Sequence, residues 1–145
     1  MLAALASAVH VLALGVGLGA IFARQRALRG PVDVAAVLRA DNWWGVAALM
    51  WIASGLARAF GGIEKGTAFY LANNLFWVKM SLYGLASLLE LWPMYTFILW
   101  RVRQQKGQPV DLARAPILRR ISQVEVVIVC LIPLVAAGMA RGLWM

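Results

Sequence analysis

The sequence predicts an all-α integral membrane protein, a single domain of residues 1–145 that forms a four-helix bundle. The first observation is composition: 63% of the residues are hydrophobic and only 14% are charged, against about 45–50% apolar and ~25% charged in soluble domains. The second is length, because 145 residues accommodate about four crossings of ~20 residues each with their loops. Together these observations exclude small soluble enzyme folds and predict a multi-pass protein of the lipid bilayer.

Four apolar segments account for the predicted crossings. They run over residues 1–23, 43–60, 69–100 and 121–140. Backbone polar groups in hydrocarbon must be satisfied within the segment itself, so each segment is predicted to be a helix. The third segment is longer than a bilayer requires, and Pro93 within it predicts a tilt or a bend.

The basic residues predict the orientation of the bundle. Ten of them fall after the first and third segments: Arg24, Arg26, Arg29, Arg39, Arg101, Arg103, Lys106, Arg114, Arg119 and Arg120. The opposite side has Lys65 and Arg141, with Arg58 close to a helix end. Lys and Arg collect on the cytoplasmic side, so both termini are expected outside, in a bacterial inner membrane. Topology thereby explains the net charge of +8, and no nucleic-acid partner is expected.

A few polar side chains fall inside the segments, where charge is costly and usually marks a site. At a rise of 1.5 Å per residue, His10 and Lys79 lie ~14–15 Å from the outer ends of their segments, so they can meet. Glu90 and Glu125 both belong to the cytoplasmic half, where they can meet as well. Tyr83 shares a helical stripe with Lys79 and Glu90 and lies between these two predicted polar layers.

The outer layer has the residue types of a haem or porphyrin site. A neutral imidazole is a common axial ligand to haem iron, which makes His10 the candidate metal ligand. Desolvation disfavours the lysine ammonium, and a neutral Lys79 amine could coordinate iron as well. Gly15 and Gly19 allow a flat ligand, or a neighbouring helix, to approach the backbone closely. His10, Lys79, Gly15 and Gly19 are therefore the candidate residues for binding a cofactor, haem b.

The catalytic candidates are Lys79, Tyr83, Glu90 and Glu125, of which the two glutamates and Tyr83 could transfer protons. Two alternatives stay open. A buried histidine such as His10 is more often a helix contact than a ligand, and the protein would then be a non-enzymatic structural or accessory membrane protein. A small transporter subunit could instead use Lys79, Glu90 and Glu125 as an ion path. Four helices are few for one transport unit, so this alternative predicts a homo-oligomer.

Five stretches of the sequence carry a family resemblance. They are HVLALGVGLGAIFAR (10–24), DNWWGVAALMWIASGLAR (41–58), EKGTAFYLANNLFWVKM (64–80), LLELWPM (88–94) and GMARG (138–142). Over nearly its whole length the chain resembles a domain-of-unknown-function family of small four-helix bacterial membrane proteins. It more distantly resembles HemJ, the membrane protoporphyrinogen oxidase, and the membrane domain of copper resistance protein D.

The resemblance to HemJ implies a buried haem b or porphyrin. Proteins of that type have an essential histidine in the first helix and a lysine in the third, and His10 and Lys79 stand at the matching positions. A quinone or a porphyrin would be the reaction partner. The fuller histidine and arginine pattern of HemJ is not seen beyond these two positions, so the resemblance implies haem binding rather than the oxidase reaction. His10 is the only histidine, so bis-histidine ligation within one chain is impossible.

Overall fold

The computed structural model describes residues 1–62 and 66–143, and within these ranges the chain is helical and contains no strand. Five helices follow one another: α1 Leu2–Ala27, α2 Val34–Phe60, α3 Thr67–Ala72, α4 Asn74–Gln105 and α5 Ala115–Ala140. The four long helices pack side by side. Helix α1 lies between α2 and α5, α4 packs against α5, and α2 meets α4 more sparsely. The prediction of an all-α fold is confirmed.

Three of the helices in the described part of the chain are long and apolar enough to cross a bilayer. They are α1, α4 and α5, with 26, 32 and 26 residues. The prediction of four crossings is therefore supported for three helices. Helix α2 has 27 residues, which is ample length at 1.5 Å per residue. However, Arg39, Asp41 and Arg58 lie within it, and charged side chains lower the mean hydropathy of a helix.

The interior of the bundle is built from small residues on α1 and large aromatic residues on α2. Ala13, Gly17 and Ala20 are buried on α1, and Trp44 and Trp51 are buried on α2. A Cβ atom at Gly17 would lie 3.0 Å from Cζ3 of Trp44, closer than ordinary packing allows. Glycine at position 17 therefore lets the Trp44 ring lie against the backbone of α1.

The third apolar segment forms two helices where one was predicted. At Asn73 the backbone is extended (φ −93°, ψ 121°), and the Asn73 side chain accepts a hydrogen bond from the backbone N–H of Leu75, 2.8 Å away. An asparagine in this conformation begins a new helix because its side chain satisfies one of the first N–H groups. Helix α4 then continues past Pro93 to Gln105, and the predicted tilt or bend stays a prediction.

The ends of two helices also differ from the prediction, and the difference moves charged residues into the bundle. Helix α2 begins nine residues before the predicted segment, because the Asp33 carboxylate accepts a hydrogen bond from the N–H of Ala36 at 2.9 Å and caps the helix. Helix α1 continues to Ala27. Arg24 and Asp41 are therefore helical residues, whereas the sequence pattern had placed Arg24 in a cytoplasmic loop.

Candidate functional site

A cavity of about 330 Å³ lies among all five helices, beside the N-terminal half of α1. We call it the His10 cavity. Its lining is mostly apolar and aromatic, with Trp51, Tyr70, Phe76 and Tyr83 among its members. Three basic side chains join the lining, those of His10, Arg58 and Lys79. An apolar cavity of this size with a few convergent polar groups is typical of small-molecule sites.

The hydrogen bond between His10 and Ser54 bears on which ring nitrogen carries the proton. Nδ1 of His10 lies 2.9 Å from Oγ of Ser54. The Ser54 hydroxyl also lies 2.6 Å from the carbonyl oxygen of Met50 and 3.2 Å from that of Trp51, and when it donates to either of these it accepts from Nδ1 of His10. A neutral imidazole is then protonated on Nδ1, and its lone pair is on Nε2. Histidines that bind metals are oriented in the same way, by a hydrogen bond at the nitrogen that does not coordinate.

Residues of α2 also pack around the imidazole ring of His10 and help to position it. The ring of Trp51 lies between those of His10 and Tyr83, with centroid distances of 5.7 and 5.8 Å. A Cβ atom at Gly55 would lie 3.1 Å from Cε1 of His10, so the missing side chain at that position makes room for the imidazole. Within the described ranges, the buried indole N–H of Trp51 has no hydrogen-bond acceptor.

Lys79 reaches the same cavity from α4. Its Nζ lies 5.1 Å from the ring centroid of Phe76 and 5.8 Å from that of Tyr70, within the range of cation–π contacts. His10 and Lys79 therefore line one cavity, in agreement with the similar depths estimated for them from the sequence, and Tyr83, which was predicted to lie between the two polar layers, lines it as well.

The two glycines singled out from the sequence lie elsewhere. Gly15 and Gly19 are exposed, and a Cβ atom at either position would contact nothing within 4 Å. Neither of them lines the His10 cavity. Within α1 and α2, the glycines of close approach are Gly17, against Trp44, and Gly55, against His10. The cofactor roles of Gly15 and Gly19 stay predictions, and the structure offers no contact that supports them.

A second polar group lies deeper along the bundle, around Arg24, which is fully buried. We call it the Arg24 cluster; it consists of Arg24, Asp41, Glu90, Arg101, Ser122 and Glu125. Nη1 and Nη2 of Arg24 bind Oε1 and Oε2 of Glu90 at 2.7 and 2.8 Å. Nη2 also donates to Oε2 of Glu125 at 2.6 Å, and Nη1 to Oδ1 of Asp41 at 3.2 Å. One guanidinium thus joins α1 to α2, α4 and α5.

Two further contacts extend the cluster. Nε of Arg24 donates to Oγ of Ser122 at 3.2 Å. Nη2 of Arg101 lies 2.6 Å from Oδ2 of Asp41 and 2.7 Å from Oδ1 of Asn42. Asp41 therefore bridges the buried Arg24 and the partly exposed Arg101.

Sequence reasoning brought Glu90 and Glu125 together but missed the residue that holds them. Arg24 was interpreted as a marker of topology, and this interpretation is incomplete because its side chain turns inward. One signal could have revealed it: steps of three and four residues along α1 from His10 lead through Gly17 to Arg24, all on one helix face. The two glutamates also lacked a cation at their predicted depth, and buried charges are usually paired.

These features define the class as a helical membrane protein with a polar cavity and a separate ionic cluster among its helices. The chain belongs to the family described as "Predicted membrane protein (DUF2214)", whose model matches residues 2–143. No curated protein and no solved structure matches the chain. Among the described residues, no three His, Cys, Asp or Glu side chains are grouped so that they could hold a metal ion.

Proposed function

We propose that this protein binds haem b or a related porphyrin in the His10 cavity, with Nε2 of His10 as the axial ligand. The observation that carries the proposal is the hydrogen bond between Nδ1 of His10 and Ser54, because a serine that accepts there leaves the imidazole lone pair on Nε2. The aromatic lining supplies apolar contacts for a flat macrocycle, and Gly55 leaves space for the imidazole itself. An imidazole beside an apolar and aromatic lining is the donor chemistry that supports haem b in the proposal.

Lys79 has two roles available in this proposal, as a second ligand or as the partner of a propionate. Its amine lines the same cavity as His10. Haem b in such a site would supply one-electron redox chemistry, and a quinone or a porphyrinogen would be the partner. The chain's own contribution is to orient the imidazole through Ser54, to exclude water with aromatic side chains, and to place the Tyr83 hydroxyl as a candidate for proton transfer.

The proposal includes four crossings, with α2 as the fourth, in a bacterial inner membrane. The outward surface of α2 supports this, because Trp43, Val46, Leu49, Ile52 and Leu56 are exposed large hydrophobic residues and lipid is the solvent that suits them. The basic residues at the far ends of α1 and α4 support an orientation with both termini outside.

The test is a reduced-minus-oxidised absorption spectrum of the protein, purified in detergent after expression with ample haem. A Soret band is expected, and His10→Ala should abolish it. Leu12→Ala is a matched control, since Leu12 is an exposed residue of the same helix that does not line the cavity. A folded wild-type protein without a Soret band, or a band that survives in His10→Ala, would overturn the proposal.

A structural or accessory membrane protein is the competing candidate, and the Arg24 cluster is the observation that favours it. A guanidinium bonded to three other helices can specify helix packing without any chemistry. This candidate predicts that His10→Leu leaves folding and oligomeric state unchanged and that no chromophore co-purifies. The same purification therefore distinguishes the two.

A further inference from the structure

The donors of the Arg24 cluster are fully used. A guanidinium has five N–H bonds, and those of Arg24 are directed at one serine hydroxyl and four carboxylate oxygens. The Ser122 hydroxyl accepts from Nε of Arg24 and donates to the carbonyl of Leu118, 3.1 Å away. Arg24 and Ser122 therefore have no donor to offer any further acceptor in the cluster.

The acids in the cluster outnumber the bases. The groups around Glu125 are Arg24 from α1, Asp41 from α2, and Glu90 and Arg101 from α4. Three carboxyl groups thus share two guanidinium groups, and Arg101 contacts only Asp41 among the three acids. Glu90 and Glu125 both accept a hydrogen bond from Nη2 of Arg24, so two carboxyl groups share one nitrogen. Two carboxylates in such a shared site do not readily ionise together.

Glu125 is the acid whose charge is least compensated. Its side chain is fully buried, and only Oε2 contacts Arg24. Among the described residues, nothing donates a hydrogen bond to Oε1. Glu90, in contrast, binds Arg24 through both oxygens, and Asp41 has one oxygen on each arginine.

We propose that the Arg24 cluster is a proton-binding site in which Glu125 holds one exchangeable proton on Oε1. Loading converts the carboxylate into a neutral carboxyl group and leaves the remaining two acids matched by the two arginines. Release returns one net negative charge to the cluster. This inference does not depend on what occupies the His10 cavity, so either proposal can fail without the other.

Access to the cluster runs along its partly exposed members. The side chains of Arg101 and Asp41 are 31% and 10% exposed, and that of Glu90 is 17% exposed, whereas Arg24 and Glu125 have no exposure. A proton would therefore enter from the Arg101 end and reach Glu125 by way of Asp41 or Glu90. Because Glu125 is the most buried acid, protonation of its carboxyl group shows that the cluster has taken up its proton.

The test is infrared spectroscopy of the full chain in detergent at neutral pH, following the carbonyl stretch of protonated carboxyl groups. We expect the band of one buried carboxyl, shifted in D₂O and lost in Glu125→Gln. Asp41→Asn removes one acid while leaving Glu125 in place, so the band should also fall in this variant. Asp111→Asn is the matched control, because Asp111 lies in an exposed loop, and the band should be unchanged.

Three results would overturn the proposal. The first is a folded wild-type protein without the band, and the second is a band that survives in Glu125→Gln. The third is a band that disappears when sodium is added at constant pH, since the cluster would then hold a cation rather than a proton. The circular dichroism of each variant shows that it is folded, and Asp41→Asn keeps the proposal testable where Glu125→Gln does not fold.

Discussion

The Arg24 cluster and the His10 cavity differ in what the polar side chains inside the bundle contact. In the cluster, the side chains contact one another directly, and every N–H of Arg24 has an acceptor. In the cavity, His10 and Lys79 contact aromatic rings and border about 330 Å³ of space. The first arrangement joins helices, and the second leaves room for a ligand.

The difference teaches that one bundle can hold polar side chains either by pairing their charges or by packing apolar side chains around them. The cluster has the greater charge, but most of that charge is neutralised between helices. The cavity has fewer polar atoms, held in place by an apolar frame that would exclude water from a bound group. Variants in the two regions should accordingly differ in kind, with losses of stability in the cluster and losses of ligand binding in the cavity.

The largest expected effect is that of Arg24→Met. Removing the guanidinium leaves Glu90 without its cation and Glu125 without its hydrogen-bond donor, and breaking a buried ion pair in this way costs about 3–5 kcal/mol of the free energy of unfolding. Denaturant unfolding in detergent micelles measures the loss. Arg26→Met is the matched control, because Arg26 is exposed on the same helix, and little change is expected.

A second substitution sharpens this result. Neutralising the ionised acid in the same background, as in Arg24→Met with Glu90→Gln, removes the unpaired charge and should recover part of the lost stability. If Arg24→Met is as stable as the wild type, or if the double variant is less stable than Arg24→Met alone, the cluster does not hold the helices together through charge pairing.

Much of this architecture could be predicted from the sequence, because helical periodicity and depth depend on spacing alone. His10 and Lys79 were assigned the same depth and line one cavity. Glu90 and Glu125 were assigned the same layer and bind the same guanidinium. In both cases, the prediction followed from the depth along the helix, which the rise per residue gives.

The position of Arg24 was not predicted, because the side chain of an arginine close to a helix end can adopt two orientations of similar free energy. Its long side chain can reach the lipid headgroups, or it can turn inward where neighbouring helices place carboxylates within reach. Only the packing of α1 against the other three helices decides between them. The break at Asn73 was also missed, since one polar residue in an apolar run can either continue a helix or cap the next one.

An intermediate effect is expected for Gly55→Ala, which tests the cavity. The added methyl would lie 3.1 Å from Cε1 of His10, so the imidazole must shift by a few tenths of an ångström. We expect the Soret band to weaken or move while the protein stays folded, with at most about 1–3 kcal/mol of destabilisation from overpacking. The absorption spectrum and thermal unfolding of the same sample separate the two effects.

Gly45→Ala is the control for this variant, because Gly45 is on the same helix and a Cβ atom there would contact nothing within 4 Å. Alanine is the better helix former, so this variant should match or slightly exceed the wild type in stability, with an unchanged spectrum. Equal spectra for Gly55→Ala and Gly45→Ala would contradict a ligand bound through His10.

The smallest effect on stability is expected for Ser54→Ala, although the variant bears directly on the proposed ligand. Loss of the hydrogen bond to Nδ1 costs about 0.5–1.5 kcal/mol. The larger consequence is that the proton of the neutral imidazole is no longer held on Nδ1. Because His10 is the only histidine in the chain, ¹⁵N NMR of the ring reports its tautomer without ambiguity. The ligand-free wild type should show Nδ1 protonated, and Ser54→Ala a mixture of both forms. A wild-type ring protonated on Nε2 would remove the basis for His10 as an axial ligand, since the lone pair would then be directed at Ser54 and not at the cofactor.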